Sequence, residues 1–299
     1  MLFLGVHVKK ENHKTIYDAL VNYFNKYPEV NTAQIFLGSP QGGSVVKLDR
    51  VEQNQIKTFI DENDLLLFSH AKYVINIGSP KAYSYHTLHE ELEEIYKLSG
   101  IGTVVHCPKS TSIGIDNAYK NSIDAIRKVI HKTFLKGGAL QDKNKQKYLK
   151  IIIETAAGQG SEMFVRIDDM ARFYNEFTPK EKKYIRFCID TAHIFASGYD
   201  ISSIEGAKKY IDEFDKKIGI KNILLIHLND SASVLGSCVD RHEVIGKGYI
   251  TKQGMSGIKY IIGIAKKNNI PMILERNSNL KNYNEKSELD LVIKLSREH

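Results

Sequence analysis

Six side chains of the types that bind divalent metal ions stand at the ends of short apolar runs. In chain order they are His70, His106, Glu154, Asp190, His227 and Glu275. One such residue would more often be a hydrogen-bonded structural group or a helix N-cap, but six in succession are hard to explain that way. Buried together, three carboxylates would each cost several kcal/mol unless cations neutralised them. The pattern therefore predicts a metal centre.

Three further residues extend this set. His193 follows Asp190 by three positions, so one turn entering a helix would bring it beside the same centre. Asp240 and His242 flank Arg241. In an extended segment the two outer residues point the same way and the middle one faces opposite, which leaves Arg241 for a phosphate. The three residues Asp240, His242 and His193 then supply the ligands that one more ion needs.

The nine candidate ligands comprise five histidines, two aspartates and two glutamates. Imidazole and carboxylate without thiolate favour zinc, with Mn²⁺ or Fe²⁺ as alternatives. Nine ligands are too many for one tetrahedral ion and suit three ions if one carboxylate bridges. Clustered divalent ions commonly serve the hydrolysis of phosphate esters. The ligand set therefore favours a phosphodiesterase.

The elements that must position these residues follow from the apolar runs. Continuous apolar runs of about 4–8 residues are typical of strands covered on both faces, as in parallel sheets, and the segments between them have helical periodicity. The predicted strands are Leu2–Val8, Thr32–Leu37, Leu65–Ser69, Thr103–Cys107, Leu149–Glu154, Ile185–Asp190, Ile223–Leu228 and Met272–Glu275. Eight alternations indicate an α/β protein, a single (β/α)₈ TIM barrel domain over residues 1–299, with the active site at the C-terminal ends of the strands.

Two segments depart from this regular alternation. Gly38–Gly43 is a turn-rich loop directly after the second strand, at the predicted functional end of the barrel. Lys136–Lys147 is polar and contains two glycines, so it predicts a surface loop.

Composition excludes several classes of protein. The chain has 299 residues, of which 42% are hydrophobic and 26% charged, which excludes a disordered or collagen-like protein. The sequence contains no apolar run of the roughly 20 residues that a membrane helix needs, and no secretion signal is predicted. Three cysteines, an odd number widely spaced, predict a reduced intracellular location: the cytoplasm, or the nucleus or virion according to the source. The net charge of +7 is compatible with a polyanionic partner but is more often a solubility feature.

Longer motifs surround the candidate ligands. They are Glu154–Gly160, Cys188–His193 with Gly198–Asp200, His227–Asp230, Asp240–His242 followed by Gly246–Gly248, and more weakly Gly5–Val8 and Tyr73–Gly78. These motifs resemble the signatures of the endonuclease IV family of zinc-dependent apurinic/apyrimidinic (AP) endonucleases. The resemblance covers nearly the whole chain in the same order.

The resemblance implies a TIM barrel that binds three Zn²⁺ ions and cuts duplex DNA 5′ to an abasic site, leaving a 3′-hydroxyl and a 5′-deoxyribose phosphate. It implies that two ions activate the attacking water and that the third stabilises the leaving 3′-oxygen. Mn²⁺ or Fe²⁺ is the alternative in one site. We expect a monomer without membrane association. The implied ligands are His70, His106 and Glu154 for the first ion; the shared, catalytic Glu154 with Asp190, His227 and Glu275 for the second; and His193, Asp240 and His242 for the third.

The resemblance also suggests which residues contact DNA. Family members insert side chains from the loops after strands two and three into the duplex, and Tyr73 matches the aromatic wedge of the family. Bacterial members carry Arg and Trp where this chain has Gln41 and Gly43, and Ala71 replaces an acidic residue. We therefore expect Tyr73, Gln41 and Arg241 to bind DNA. In the family the abasic sugar rotates out of the duplex, and we expect this chain to fill the resulting gap in a different way from the bacterial members.

Two alternatives stay open from the residues alone. A metal-dependent sugar isomerase or epimerase of the same barrel type would use Glu154, Asp190, His227 and Glu275. Such a one-metal enzyme has no use for the other five candidate ligands. A non-catalytic DNA-binding protein on a decayed scaffold would lack ligands, and none of the nine is missing.

Overall fold

The computed structural model describes residues 1–42, 44–135, 149–276 and 283–298. The segment Lys136–Lys147, for which the sequence predicts a surface loop, lies outside the described residues, as does Gly43 of the loop after the second strand.

Eight parallel strands form a closed barrel, which confirms the predicted fold class. Around the barrel they run in the order β1-β10-β7-β6-β5-β4-β3-β2, and β8 pairs with β9 in a separate antiparallel ribbon. The first and last residues of each predicted strand agree with those of an observed barrel strand to within two positions. The bounds are β1 Leu4–His7, β2 Thr32–Phe36, β3 Leu66–His70, β4 Gly102–Val105, β5 Lys150–Glu154, β6 Ile185–Asp190, β7 Ile223–His227, β8 Asp230–Ser231, β9 His242–Glu243 and β10 Met272–Leu274.

Strand register determines which candidate ligands lie level with each other. In the β6–β7 pair, Asp190 is the partner of His227, so both ligands stand at the same height. In the β3–β4 pair, His70 is the partner of Val104. The β4 strand begins with Gly102, where a Cβ atom would lie 2.4 Å from the carbonyl oxygen of Lys150 on β5. Glycine therefore permits the close approach of these two strands.

The helices follow the strands along the chain, and longer helices bury one face, as the periodicity predicts, whereas the short helix Thr191–Ala196 is buried throughout. Side-chain caps define several starts: Thr15 and Asp18 form a capping box, and Asp49 and Ser203 accept backbone N–H bonds. Within the described ranges no helix is long and apolar enough to cross a bilayer. The bounds are α1 Ile16–Lys26, α2 Arg50–Glu62, α3 Ala82–Lys97, α4 Ile115–Phe134, α5 Ile167–Asn175, α6 Thr191–Ala196, α7 Ile204–Lys217, α8 Ser256–Asn268 and α9 Glu285–Arg297.

Backbone packing divides the chain into two compact units, each with its own buried apolar residues. One unit comprises Met1–His7, Thr155–Ala171 and Phe187–His299, and the other comprises Val8–Glu154 and Arg172–Arg186. Fully buried residues include Phe187, Phe214, Leu225 and Ile262 in the former, and Leu67, Phe68, Ile126 and Ile152 in the latter. The single domain that the sequence indicates stays a prediction.

Lys150, the first residue of β5, is a buried lysine whose charge opposes folding. Its side chain donates to the Leu149 carbonyl at 3.3 Å, and burial together with the charge of Arg186 lowers its pKa from 10.5 to about 8. The unfolded protein therefore binds more protons between about pH 8 and pH 10.5, so this penalty on stability falls as pH rises through that range.

We expect Lys150→Met to raise the free energy of unfolding at pH 7 by about 1–3 kcal/mol. Because Lys150 loses its proton in both states at high pH, the gain should be much smaller near pH 11. Urea unfolding of the wild type and the variant at both pH values measures this difference. An equal gain at both values would contradict the assigned shift.

Candidate metal centre

The first cluster consists of His70, His106 and Glu154. His70 and Glu154 are the last residues of β3 and β5, and His106 directly follows β4. The Nε2 atoms of His70 and His106 lie 3.3 and 3.2 Å from Oε2 of the buried Glu154. One carboxylate and two imidazoles therefore converge, as the strand-end pattern predicts.

Neighbouring groups orient the first cluster. Nδ1 of His70 lies 2.8 Å from the carbonyl oxygen of Ala71, so this nitrogen carries a proton, which leaves Nε2 of the neutral ring to bind a cation. Tyr73 stacks on His106, with ring centroids 5.5 Å apart and an interplanar angle of 16°, and meets His70 edge-on. The side chain of Tyr73 remains 52% exposed, so an aromatic face covers the histidines and meets solvent.

The second cluster consists of Asp190, His227 and Glu275. Nδ1 of His227 lies 3.2 Å from Glu275 and 3.8 Å from Asp190. Asn229 donates its amide to Oδ2 of Asp190 at 2.7 Å and accepts the backbone N–H of Glu275 at 3.0 Å. Asn229 therefore orients two candidate ligands, a role that sequence reasoning missed although the residue lies in the quoted His227–Asp230 motif.

The third cluster consists of His193, Asp240 and His242. Oδ1 of Asp240 lies 3.2 Å from Nε2 of each histidine. His193 stands in the first turn of α6, where its N–H donates to Oδ1 of Asp190, and its Nδ1 lies 2.8 Å from the carbonyl oxygen of Thr155. The helical turn and the alternation in the Asp240–His242 segment bring the three residues together as expected.

Asp190 belongs to both of these clusters. It is fully buried, and its Oδ2 atom lies 3.4 Å from Nε2 of His242 as well as near His227. Sequence reasoning assigned Asp190 to the second cluster alone. The proximity to His242 joins the two ligand sets through one carboxylate.

The charges in the third cluster stabilise each other. Burial alone would raise the pKa of Asp240, but the charge of His193 and hydrogen bonds from both histidines outweigh it and lower this pKa well below its usual value. Burial would lower the pKa of His242, yet the charges of Asp190, Asp240 and Glu275 raise it.

The donors of the three clusters fit divalent zinc. All are imidazole nitrogens and carboxylate oxygens, and Nδ1 of both His70 and His193 is bonded to a backbone carbonyl, which directs Nε2 at a carboxylate. Sets of these groups lie with their ligand atoms within 4.8 Å of one another. Buried carboxylates beside oriented imidazoles are the arrangement that a bound cation stabilises.

A buried aspartate positions the segment that carries His242. Asp230 accepts backbone N–H bonds from Gly246, Gly248 and Ile250 at 3.2, 3.0 and 3.0 Å, and also the Thr251 hydroxyl. Its strand β8 pairs with β9, where Ser231 is the partner of His242. The motifs that contain Asp230 and Gly246–Gly248 signalled this interaction, but sequence reasoning gave them no role.

The three expected DNA-contacting residues are exposed. Arg241 donates from Nη1 to its neighbouring carbonyl at Asp240 and presents its guanidinium to solvent, as the alternation predicts. Gln41 lies in the loop after β2, and the N–H of Tyr73 donates to the carbonyl of Pro40 at 2.9 Å. Gln41 and Tyr73 therefore lie on two loops that are bonded to each other.

The fold and these clusters define a class: TIM barrels with imidazole and carboxylate ligands at the C-terminal strand ends. The sequence profile of the xylose isomerase-like TIM barrel family matches residues 29–292. A mimivirus protein (Acanthamoeba polyphaga mimivirus) named "Putative endonuclease 4" is 34% identical over 252 residues, which cover 81% of this chain and 76% of that protein. A Methanosphaera stadtmanae protein named "Probable endonuclease 4" is 30% identical over 270 residues, 88% of this chain and 90% of its own.

Solved structures agree on the fold. The crystal structure of endonuclease IV from Thermus thermophilus superposes with a TM-score of 0.79 at 22% identity, covering 99% of this chain and all of that one. A D-tagatose 3-epimerase-like protein superposes with a TM-score of 0.68 at 14% identity, covering 99% of each chain. On the sequence relatives and the family profile, the chain belongs to the endonuclease IV family of xylose isomerase-like TIM barrels.

We expect Asp230→Asn to lower the free energy of unfolding by about 3 kcal/mol, because the amide removes the charge and one acceptor from several buried donors. Hydrogen exchange should accelerate at the amides of Gly246, Gly248 and Ile250. Asp200→Asn is the matched control, since Asp200 is exposed and its carboxylate accepts from the backbone and hydroxyl of Ser202. If the two variants have the same free energy of unfolding, Asp230 does not anchor the segment from Gly246 to Ile250.

Proposed function

We propose that this protein is a zinc-dependent AP endonuclease that hydrolyses the phosphodiester bond 5′ to an abasic site in duplex DNA. The products are a 3′-hydroxyl and a 5′-deoxyribose phosphate. The observation that carries the proposal is the third cluster: His193 and His242 both lie 3.2 Å from Asp240. A one-metal sugar isomerase has no use for this cluster. The endonuclease 4 names of the relatives support the same reaction.

Each cluster would hold one ion. His70, His106 and Glu154 bind the first, Asp190, His227 and Glu275 the second, and His193, Asp240 and His242 the third, with Mn²⁺ or Fe²⁺ as the alternative to zinc in one site. When bound, clustered zinc ions activate water and neutralise the charge of the phosphate and the leaving oxygen.

The residues of the chain orient the ligands and bind the DNA. The buried carboxylates Glu154 and Asp190 hold the imidazoles in place, and Glu154 is the residue to which we assign a catalytic role. The half-exposed ring of Tyr73 offers an aromatic surface beside the first cluster, suited to stacking against an unpaired base or sugar. Arg241 and Gln41 are exposed and donate hydrogen bonds to the phosphate backbone.

The direct test is incision of an oligonucleotide duplex with a single tetrahydrofuran abasic analogue. The purified protein, with its metal content measured, should cut once on the 5′ side of the analogue and leave an end that a polymerase extends. We expect three zinc ions per chain. A single ion per chain together with no incision would overturn the proposal in favour of the sugar isomerase or epimerase.

Loss of one ligand from the third cluster should separate metal content from DNA binding. We expect His242→Ala to lower the zinc content from three ions to two and the turnover by at least about 100-fold. Arg241→Ala is the matched control on the adjacent residue. It should keep all three ions and weaken binding to any duplex, because Arg241 contacts phosphate only. Full zinc content in His242→Ala would remove the third cluster from the mechanism.

DNA affinity should decrease with salt because phosphate contacts release counterions. We expect the logarithm of the association constant to fall linearly with the logarithm of the salt concentration, with a slope of about −0.9 for each phosphate contact. Fluorescence anisotropy with a labelled duplex between about 50 and 200 mM salt measures this slope. An affinity independent of salt would argue for a small, uncharged substrate.

A further inference from the structure

Lys72 is a buried cation that lies between two loops at the strand ends. It follows the candidate ligand His70 by two positions and is 2% exposed. Its Nζ atom donates to the carbonyl oxygen of Ser39 at 3.0 Å, in the loop after β2. The next residue, Tyr73, donates its N–H to the carbonyl of Pro40 at 2.9 Å. Two successive residues of one loop therefore hold two successive carbonyls of the other.

Gly38 makes room for this contact. Its φ angle is +113°, which disfavours residues with a side chain, and a Cβ atom there would lie 2.8 Å from Nζ of Lys72. A larger residue at position 38 would therefore push Lys72 away from Ser39.

Helix α3 supports both loops with buried carboxylates. Glu91 is fully buried, accepts the N–H of Lys72 at 3.4 Å through Oε1, and has no hydrogen-bond partner at Oε2 among the described residues. Burial raises the pKa of Glu91 to about 7, and the charge of Lys72 is the main effect that opposes the rise. Glu94 accepts the N–H of Leu48 at 3.1 Å, beyond the same β2 loop.

Burying a lysine ammonium is costly unless it is bonded and near an opposite charge. The Ser39 carbonyl bonds to the Lys72 ammonium, and Glu91 supplies an opposite charge nearby. The ammonium of Lys72 bonds to the loop that contains Gln41. Lys72 itself lies in the same loop as Tyr73. Both are residues to which we assign DNA contacts.

We propose that Lys72 is a positioning residue for recognition of the abasic site: it ties the loop of Gln41 to the loop of Tyr73 so that both meet the damaged duplex in one fixed arrangement. This inference rests on the proposed AP endonuclease function. Because Lys72 is 2% exposed, it acts through the loops that it joins. The bond from Lys72 restricts the conformations of the loop after β2. Less conformational entropy is therefore lost from this loop when DNA binds.

The test is Lys72→Met, which keeps the length of the side chain and removes the charge. We expect KM for a tetrahydrofuran duplex to rise by about tenfold, as the loss of one charge-assisted hydrogen bond implies. The kcat and the zinc content should stay unchanged, because Lys72 is not one of the candidate ligands. Gly38→Ala should raise KM similarly from the other loop, and adding Lys72→Met to it should have little further effect.

Lys150→Met is the matched control, because Lys150 is also buried and also donates to a backbone carbonyl. It should leave KM unchanged. Lys72→Arg, which keeps a cationic donor, should restore most of the wild-type KM. An unchanged KM in folded Lys72→Met, or an equal increase in Lys150→Met, would overturn the inference.

Hydrogen exchange provides a readout without substrate. The amides of Tyr73 and Val46, which bond to Pro40 and Leu37, should exchange at least about tenfold faster in Lys72→Met than in the wild type. Unchanged exchange would overturn the tie between the loops. Failure of the wild type to incise abasic DNA would instead overturn the proposed function, so the two failures are distinguishable.

Discussion

The burial of Asp190 is the constraint on which the second and third clusters depend. This carboxylate has no exposed surface, and it caps α6 through the N–H of His193, accepts the amide of Asn229, and lies near His227 and His242. A buried negative charge with so many polar neighbours is tolerable because donors and imidazoles surround it. The same charge helps to raise the pKa of His242. Removing it would disorganise two ligand clusters together.

Several groups that are not candidate ligands orient the ligands. Backbone carbonyls fix the ring orientation of His70 and His193, and Asn229 links Asp190 to the strand end of Glu275. Such contacts select the tautomer and limit rotation, so that little reorganisation is required when an ion binds. Thr191 contributes in the same way, since its hydroxyl exchanges hydrogen bonds with the backbone of Asn229.

The same barrel serves proteins of different named activities, as the superposition with an epimerase-like structure illustrates. The fold alone therefore does not determine which reaction a protein catalyses. In this chain a short antiparallel ribbon between β7 and β10, held by Asp230, brings Asp240 and His242 to the end of β6. The function proposed here therefore depends on this segment as well as on the barrel.

The sequence by itself determined the types of the ligands and their places along the strands. Apolar runs that end in His70, Glu154, Asp190 and His227 predicted buried strands and a polar rim, because local alternation and spacing decide which residues a strand or one helical turn presents. For the same reason, the three-residue spacing from Asp190 to His193 and the two-residue spacing from Asp240 to His242 predicted correctly which side chains point the same way.

Only the tertiary structure decided which distant groups meet. The contact of Asp190 with His242, the bonds from Asp230 to the Gly246–Gly248 segment, and the bond from Lys72 to Ser39 each join residues at least 16 positions apart. Such contacts depend on the path of the chain, which brings the residues together. They also depend on burial, which excludes water as a competing hydrogen-bond partner. No local pattern encodes them, because the same residue types in a solvent-exposed loop would bond to water instead.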